Sequence, residues 1–371
     1  MVKTMHQELL KYLEIYHPQI APFMHLQINE WGKNRPLEGV KILHHVPLVP
    51  NTLLKIAALV AANAEVTVTN PASFCQAHPD AITCLHKSGI PYVENLDLLR
   101  DETFDVYLDC GGQLYQSLGR PLRGAIELTG SGDQYYRSMK TLDFPVISID
   151  HTMTKQLETV FGCAESSHQA IQKLTGDDPT NKNWLIFGFG KIGRGLAYFC
   201  LEHQVPVIVV DSSVHQCDLA SNLGIEAIRP EEHDKLEKAV AKADIILTAT
   251  GGKNIMSEYP RAWFDGKILG NLGLHDEFGP NFTSQDVLYD KKPINFCLYD
   301  PTPMIFIDPE FYLHNLGCLL LLQGNFPRGM HDIPEDIDSS IIKDWCQYHR
   351  RSEKSIRRWF LTPQDFSLKT N

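Results

Sequence analysis

At 371 residues the chain exceeds what one hydrophobic core usually supports, and 43% hydrophobic against 21% charged residues is an ordinary folded composition, so two domains are expected and long disorder is excluded. The formal net charge is -11, from 34 basic and 45 acidic residues, and the resulting field would repel a phosphate backbone, which argues against a nucleic-acid partner. The nine cysteines are scattered without a CxxC pair, so no metal site or redox motif is indicated, and an odd set of dispersed thiols fits a reducing, cytoplasmic setting.

Residues 1–14 mix Lys3, His6, Glu8 and Lys11 with apolar residues, so no signal peptide is read there, and no later run is read as a membrane span. Leu9, Leu10 and Leu13 predict a helix over 5–15 that His17-Pro18 interrupts. The turn Arg35-Pro36-Leu37-Glu38-Gly39 then feeds a strand over 40–43. A helix over 52–62, a strand over 65–69, a helix over 81–88 and a short strand at 91–93 follow, and this alternation is that of a doubly wound parallel sheet. Strands over 104–108 and 146–149 end in Asp109-Cys110-Gly111-Gly112 and Asp150-His151, at the carboxyl edge where open α/β sheets bind ligands.

Residues 155–174 form a long amphipathic helical stretch, and Gly176-Asp177-Asp178-Pro179-Thr180-Asn181 reads as a linker. A second alternation opens at Trp184, with strands over 205–210, 245–249 and 267–270. A helix over 339–348 and a basic segment over 350–358 follow. The fold class is therefore α/β, with two doubly wound domains.

The most informative segment is Leu185-Ile186-Phe187, then Gly188-Phe189-Gly190-Lys191-Ile192-Gly193, then a helix to about Glu202. Strand, glycine turn and helix come in the order a dinucleotide requires. Gly188 permits the tight turn, Gly190 lets backbone approach the pyrophosphate, Gly193 lets helix pack on strand, and the helix amides receive the phosphate charge. The next strand ends in Asp211, whose carboxylate can accept both ribose hydroxyls, and no arginine near Ser212-Ser213 could hold a 2′-phosphate, so NAD is expected over NADP. A further strand runs into Thr248-Ala249-Thr250-Gly251-Gly252, a small-residue turn that a cofactor can approach closely.

Several segments in order resemble the S-adenosylhomocysteine hydrolase family, from about Pro36 to Cys318: residues 35–43, 108–114, 124–132, 154–166, 188–195, 247–256, 270–279 and 315–318. The stretches Val160-Phe161-Gly162-Cys163-Ala164-Glu165-Ser166 and Thr248-Ala249-Thr250-Gly251-Gly252 are the most specific. The resemblance implies a resident NAD that oxidises a substrate hydroxyl. It implies a Rossmann domain (166–318) inserted in a larger substrate domain (1–165), to which 319–371 returns as a helical end, and a homo-oligomer, dimer or tetramer, acting on a small molecule. It places cofactor contacts on Thr129, Ser131, Thr250, Gly251, Leu272, Gly273 and Asn315, keeps Gly190, Lys191, Ile192 and Asp211 in their roles, and sets Cys163 beside the nicotinamide. Lys155 matches the lysine that helps deprotonate the hydroxyl, Glu158 falls near the family's aspartate, and either His45 or His44 matches the catalytic histidine.

The departures lie on the substrate side. Cys110 stands where the family has the second of two paired aspartates, leaving a thiol as the acid/base candidate. Leu128 stands where a glutamate binds the ribose, and leucine can neither donate nor accept. Pro47-Leu48-Val49-Pro50-Asn51 lacks the threonine and glutamate that hold adenine. After Asn315-Leu316-Gly317-Cys318 the family's His-Pro-Ser-Phe segment is missing, with His331 a displaced equivalent, and residues 360–371 lack the family's lysine and tyrosine tail. The expected function is NAD-dependent oxidation of a nucleoside or thioether other than the usual one. The alternatives are a genuine hydrolase with rearranged contacts, a simple NAD-dependent dehydrogenase, and a catalytically silent NAD-binding regulator.

Overall fold

The computed structural model describes residues 6–73 and 75–362, so Met5 and the tail beyond Thr362 named above lie outside the described residues. The chain divides into two compact units, residues 1–155 with 304–353, and residues 156–303 with 354–371.

The first unit carries the strands β1 (Lys41–His45), β2 (Glu65–Thr69), β3 (Val106–Asp109), β4 (Gly124–Glu127) and β5 (Pro145–Ser148), and a sixth, Gly329–Asp332. All pair in parallel, in the order Gly329–Asp332, β5, β4, β3, β1, β2. Every residue of β3 and β4 is buried, as expected where helices cover both faces of a parallel sheet. The helix Thr52–Ala61 is apolar almost all round because it is buried on nearly every side.

The helix Pro22–Asn34 has no side-chain cap of its own. Asp308 caps it from a distance, accepting from Phe23 N (2.8 Å) and Met24 N (2.9 Å). Asp308 belongs to the 20-residue helix Met304–Gln323, which has the length and apolarity of a membrane span, contrary to the expectation that no run would. Asp308, Glu310, His314 and Asn315 are nonetheless buried in it, which makes it a core helix.

The second unit carries β6 (Trp184–Phe187), β7 (Val207–Val210), β8 (Glu226–Ile228), β9 (Ile245–Thr248) and β10 (Ile268–Asn271), all parallel, in the order β10-β9-β6-β7-β8. Strand order reverses beside β6, which makes the carboxyl ends of β6 and β9 the switch point at which such sheets bind nucleotides. Leu185, Phe187, Ile246, Leu236, Phe278 and Phe282 fill the core on one face.

Three boundaries differ from those expected. Residues 156–165, expected in the substrate domain, belong to the second unit. The helix Met304–Gln323 packs as one piece on the helix Pro22–Asn34 and the first sheet, so residues 304–318 belong to the first unit. The stretch from Lys354 belongs to the second unit: Trp359 packs edge-on against Tyr198 (5.2 Å between centroids), Phe360 against Phe161 (5.9 Å), and Leu361 N donates to Gln156 Oε1. The helical stretch expected over 155–174 is interrupted as well. A short helix Met153–Gln156 passes into a π-helical turn, Leu157–Gly162, before the helix Cys163–Thr175.

Candidate functional sites

In the second unit the glycine turn has the geometry its spacing predicted. Gly188 sits at φ 97°, where L side chains are strained, and a Cβ there would meet the Ala249 carbonyl oxygen. A Cβ at Gly193 would land on the Gly188 carbonyl oxygen, so helix and turn approach as closely as glycine alone allows. Gly190 is the N-cap of the helix Lys191–Glu202 and brings no side chain to its first amides. Ile192 lies in its first turn, half-buried like Lys191.

Asp211, just past β7, is tied into the turn itself. Its Oδ2 accepts from Phe189 N (2.7 Å) and its Oδ1 from Ser213 N (2.9 Å), so the carboxylate braces the glycine turn while each oxygen keeps acceptor capacity.

The turn after β9 rests on two residues that the sequence alone did not single out. Buried Glu277 accepts from Thr250 N (3.0 Å), Thr250 Oγ1 (2.8 Å) and Gly251 N (2.8 Å). Burial raises its carboxyl above the usual range against the pull of those donors. A Cβ at Gly273 would collide with the same carboxylate. Asn271 accepts from Thr248 Oγ1 (3.2 Å) and Gly273 N (3.0 Å) and donates to the carbonyls of Gly273, His275 and Lys291. Leu272, between them, is buried at 5% exposure. The signal for both supports was their place in the segment 270–279, where a polar residue next to a glycine at a strand end marks a turn in need of bracing.

Cys163 opens the helix Cys163–Thr175, 7% exposed, with its thiol 3.7 Å from Glu158 Oε1. The same Glu158 oxygen accepts from Thr302 Oγ1 at 3.3 Å.

In the first unit, His45, Asp109 and Glu127 are the final residues of β1, β3 and β4. His45 bonds Thr69 Oγ1 through Nδ1 (2.7 Å) and Gln113 Oε1 through Nε2 (3.1 Å), and burial lowers its pKa. Its rival His44 is fully buried, and neither of its ring nitrogens has a hydrogen-bond partner among the described residues. Asp109 accepts from Cys110 N, Leu114 N and Tyr136 OH.

Glu127 was missed, although it precedes Leu128. It accepts from Gly111 N (2.9 Å), Gly112 N (3.0 Å), Thr129 N (2.8 Å) and Thr129 Oγ1 (2.7 Å). Burial and neighbouring Asp109 push its carboxyl up to about 8 despite these four donors. Thr129 is thereby held by Glu127 and lies 3.3 Å from the exposed Ser131 hydroxyl. Burial, with Glu127 and Asp109 beside it, also drives the Cys110 thiol well above its ordinary range, so at neutral pH it is no base.

Lys155 points its ammonium at buried Glu310, Nζ to Oε1 3.1 Å. Its backbone is fixed too, by Thr152 Oγ1 accepting from Lys155 N (3.0 Å) and by Asp338 accepting from Met153 N and Thr154 N. Lys155 and Glu158 were expected on one α-helix; Lys155 lies in the short helix Met153–Gln156 and Glu158 in the π-helical turn that follows it.

Asn315 departs furthest from expectation. It is fully buried in the helix Met304–Gln323, its Oδ1 accepting from Lys55 Nζ (2.6 Å) and its Nδ2 donating to Gln27 Oε1 and Lys55 O (3.0 Å each). Its amide is engaged within the core, and the cofactor role is not carried forward. The Pro-x-Phe spacing sought after Cys318 occurs ahead of it, in Asp308-Pro309-Glu310-Phe311, and that pattern could have disclosed Glu310. His331 lies in the edge strand Gly329–Asp332, bonded to Pro327 O (2.8 Å). Asp133, His151 and Asp332 are close enough to share a cation, but Arg137 already lies between the two aspartates and ion-pairs with both.

Residues 169–261 match the family model described as shikimate / quinate 5-dehydrogenase. The chain is 29% identical over 361 residues to an adenosylhomocysteinase of Archaeoglobus fulgidus, covering 85% of this chain and 88% of that protein. It is 23% identical over 368 residues to an S-inosyl-L-homocysteine hydrolase of Methanosarcina mazei, covering 87% and 88% respectively. Among solved structures it is similar to a dipicolinate synthase chain from Bacillus halodurans, at 12% identity and a TM-score of 0.45 over 77% of this chain and 98% of that one.

Proposed function

We infer that this chain, a divergent member of the S-adenosylhomocysteine hydrolase family, is an enzyme that holds NAD on the turn 188–193 and oxidises a hydroxyl of a nucleoside or thioether other than S-adenosylhomocysteine. The observation that carries the reading is the strand, glycine turn and helix start of the second unit, with Asp211 at the end of the neighbouring strand. These residues suit a dinucleotide. Glycines keep side chains away from the turn, the helix start offers amides to a pyrophosphate, and Asp211 retains acceptor capacity for ribose hydroxyls. Bound there, NAD supplies a hydride acceptor.

The remaining roles belong to this chain's own side chains. Lys155, in its charged form, favours ionisation of a hydroxyl beside it. Thr250, Gly251, Leu272 and Gly273 line the second-unit turn offered to the cofactor, with Cys163 as a further contact. Thr129 and Ser131 are proposed for the same purpose in the first unit. Leu128 would leave a substrate hydroxyl without a partner, a loss of about 1–3 kcal/mol, and this supports a changed substrate. A silent NAD-binding regulator is the second reading, favoured by one observation: His45 and Lys155 are both already bonded within the protein. Cytoplasmic location and a dimeric or tetrameric assembly complete the proposal, the assembly being checked by sedimentation.

The test has two steps. Denaturing purified protein and identifying the released dinucleotide should yield NAD; none at all would sink both readings. Intact protein is then mixed in turn with S-adenosylhomocysteine, S-inosylhomocysteine, adenosine and inosine while reduced nicotinamide absorbance is followed. Reduction without S-adenosylhomocysteine hydrolysis is expected. Release of homocysteine from S-adenosylhomocysteine would instead indicate a genuine hydrolase, free exchange of NADH a simple dehydrogenase, and retained NAD that no compound reduces a regulator.

A further inference from the structure

The helix Met304–Gln323 carries a carboxylate that neither the glycine turn nor the strand-end residues account for. Glu310 is 1% exposed, and its Oε1 lies 3.1 Å from Lys155 Nζ. Resting on the reading that Lys155 serves the substrate hydroxyl, we propose that Glu310 is the positioning residue that aims the Lys155 side chain and keeps it in its charged form.

Three observations bear on this. The Lys155 backbone is pinned by Thr152 and its helix start by Asp338, so the ammonium is the part of the residue left to be oriented. The Lys155 side chain is 9% exposed, so bulk water contributes little to its charge. Several buried groups near the pair bring no negative charge of their own. His314, one helical turn beyond Glu310, is held neutral by burial and bonds Ile126 O at 3.0 Å. Cys110 remains a thiol. Lys55, on the helix Thr52–Ala61, is a second buried amine, which burial brings down to about 7 while Glu310 and Cys318 pull the other way. His44 adds a further ring kept neutral by burial and by Lys55. A carboxylate in contact is what allows a lysine here to stay charged.

The experiment is a titration of lysine side-chain nitrogen resonances by NMR in the full chain, with Lys155→Met identifying the Lys155 signal. In Glu310→Gln, which keeps size and shape, the Lys155 midpoint should fall by about 1–3 pH units. In Glu310→Asp, which keeps the charge, most of the wild-type midpoint should be restored. A merely structural role would lower thermal stability in both variants and leave the midpoint where it was, and that result overturns the proposal. Wild-type protein gives a second readout that needs no variant: the Lys155 nitrogen should respond at the pH where the Glu310 carboxyl titrates, and absence of that response also overturns it. The functional reading fails separately, if Lys155→Met reduces its bound NAD as fast as wild type does.

Discussion

Both units set a glycine turn beyond a parallel strand, Gly111-Gly112 after β3 and 188–193 after β6, yet the two turns treat their amides differently. In the first unit Gly111 N, Gly112 N and Thr129 N all donate to the buried Glu127 carboxyl, so an internal acceptor fills the cradle. In the second, Asp211 takes the Phe189 amide of the turn, and Gly190 brings no side-chain cap to the helix start. A glycine-rich turn at a strand end thus keeps its amides for a ligand only where the chain does not supply its own carboxyl group. Glu277 repeats the self-satisfied arrangement at Thr250-Gly251.

The contrast can be broken most severely on the first-unit side. Glu310→Ala leaves the Lys155 ammonium buried without this carboxylate and should cost about 3–5 kcal/mol in denaturant unfolding. A loss under about 1 kcal/mol would mean that the pair is solvated. In the second unit, Gly193→Ala drives a methyl onto the Gly188 carbonyl, and overpacking of this kind costs about 1–3 kcal/mol. NAD recovered from the purified variant should fall sharply, whereas unchanged recovery would show that the turn does not carry the cofactor.

Lys55→Met tests the buried amine beside Asn315. The Lys55 pKa is about 7 in the folded chain against 10.5 ordinarily, so between those values the unfolded state binds more protons and folding weakens as pH falls. The variant should therefore gain most, relative to wild type, below pH 7, and the gain should fade as pH rises toward 10.5. Thermal unfolding across that range checks the sign, and a pH-independent difference would contradict it. The smallest effect is expected from Asp211→Asn, which keeps one acceptor oxygen: a several-fold weaker NAD affinity by calorimetry, corresponding to about 1 kcal/mol. An equal loss in NADP affinity would argue that Asp211 braces the turn without reading the ribose.

Legibility followed how local each cause is. The helix Lys191–Glu202, the turn before it and Asp211 were read directly, because the constraints act within one strand-turn-helix unit. The alternation of both sheets was readable in part for the same reason, although β4, β8 and Gly329–Asp332 were not read as strands and 91–93 forms only a bridge at Tyr92. The helix Met304–Gln323 was not, since Pro309 and its buried polar residues interrupt the apolar period, and their partners Phe23, Lys55 and Lys155 lie far away in sequence. Asn315 was misjudged on that account, its motif being a core feature in this chain.

By itself the sequence determined the two parallel α/β units and the glycine turn, because a hydrophobic period and an enforced close approach are written into neighbouring residues. Only the tertiary structure decided which polar groups remain available. Glu127, Glu277, Glu310 and Asp308 reach their donors from separate elements, and a buried polar group is satisfied by whatever the fold brings within about 3 Å of it, a distance no spacing along the chain encodes.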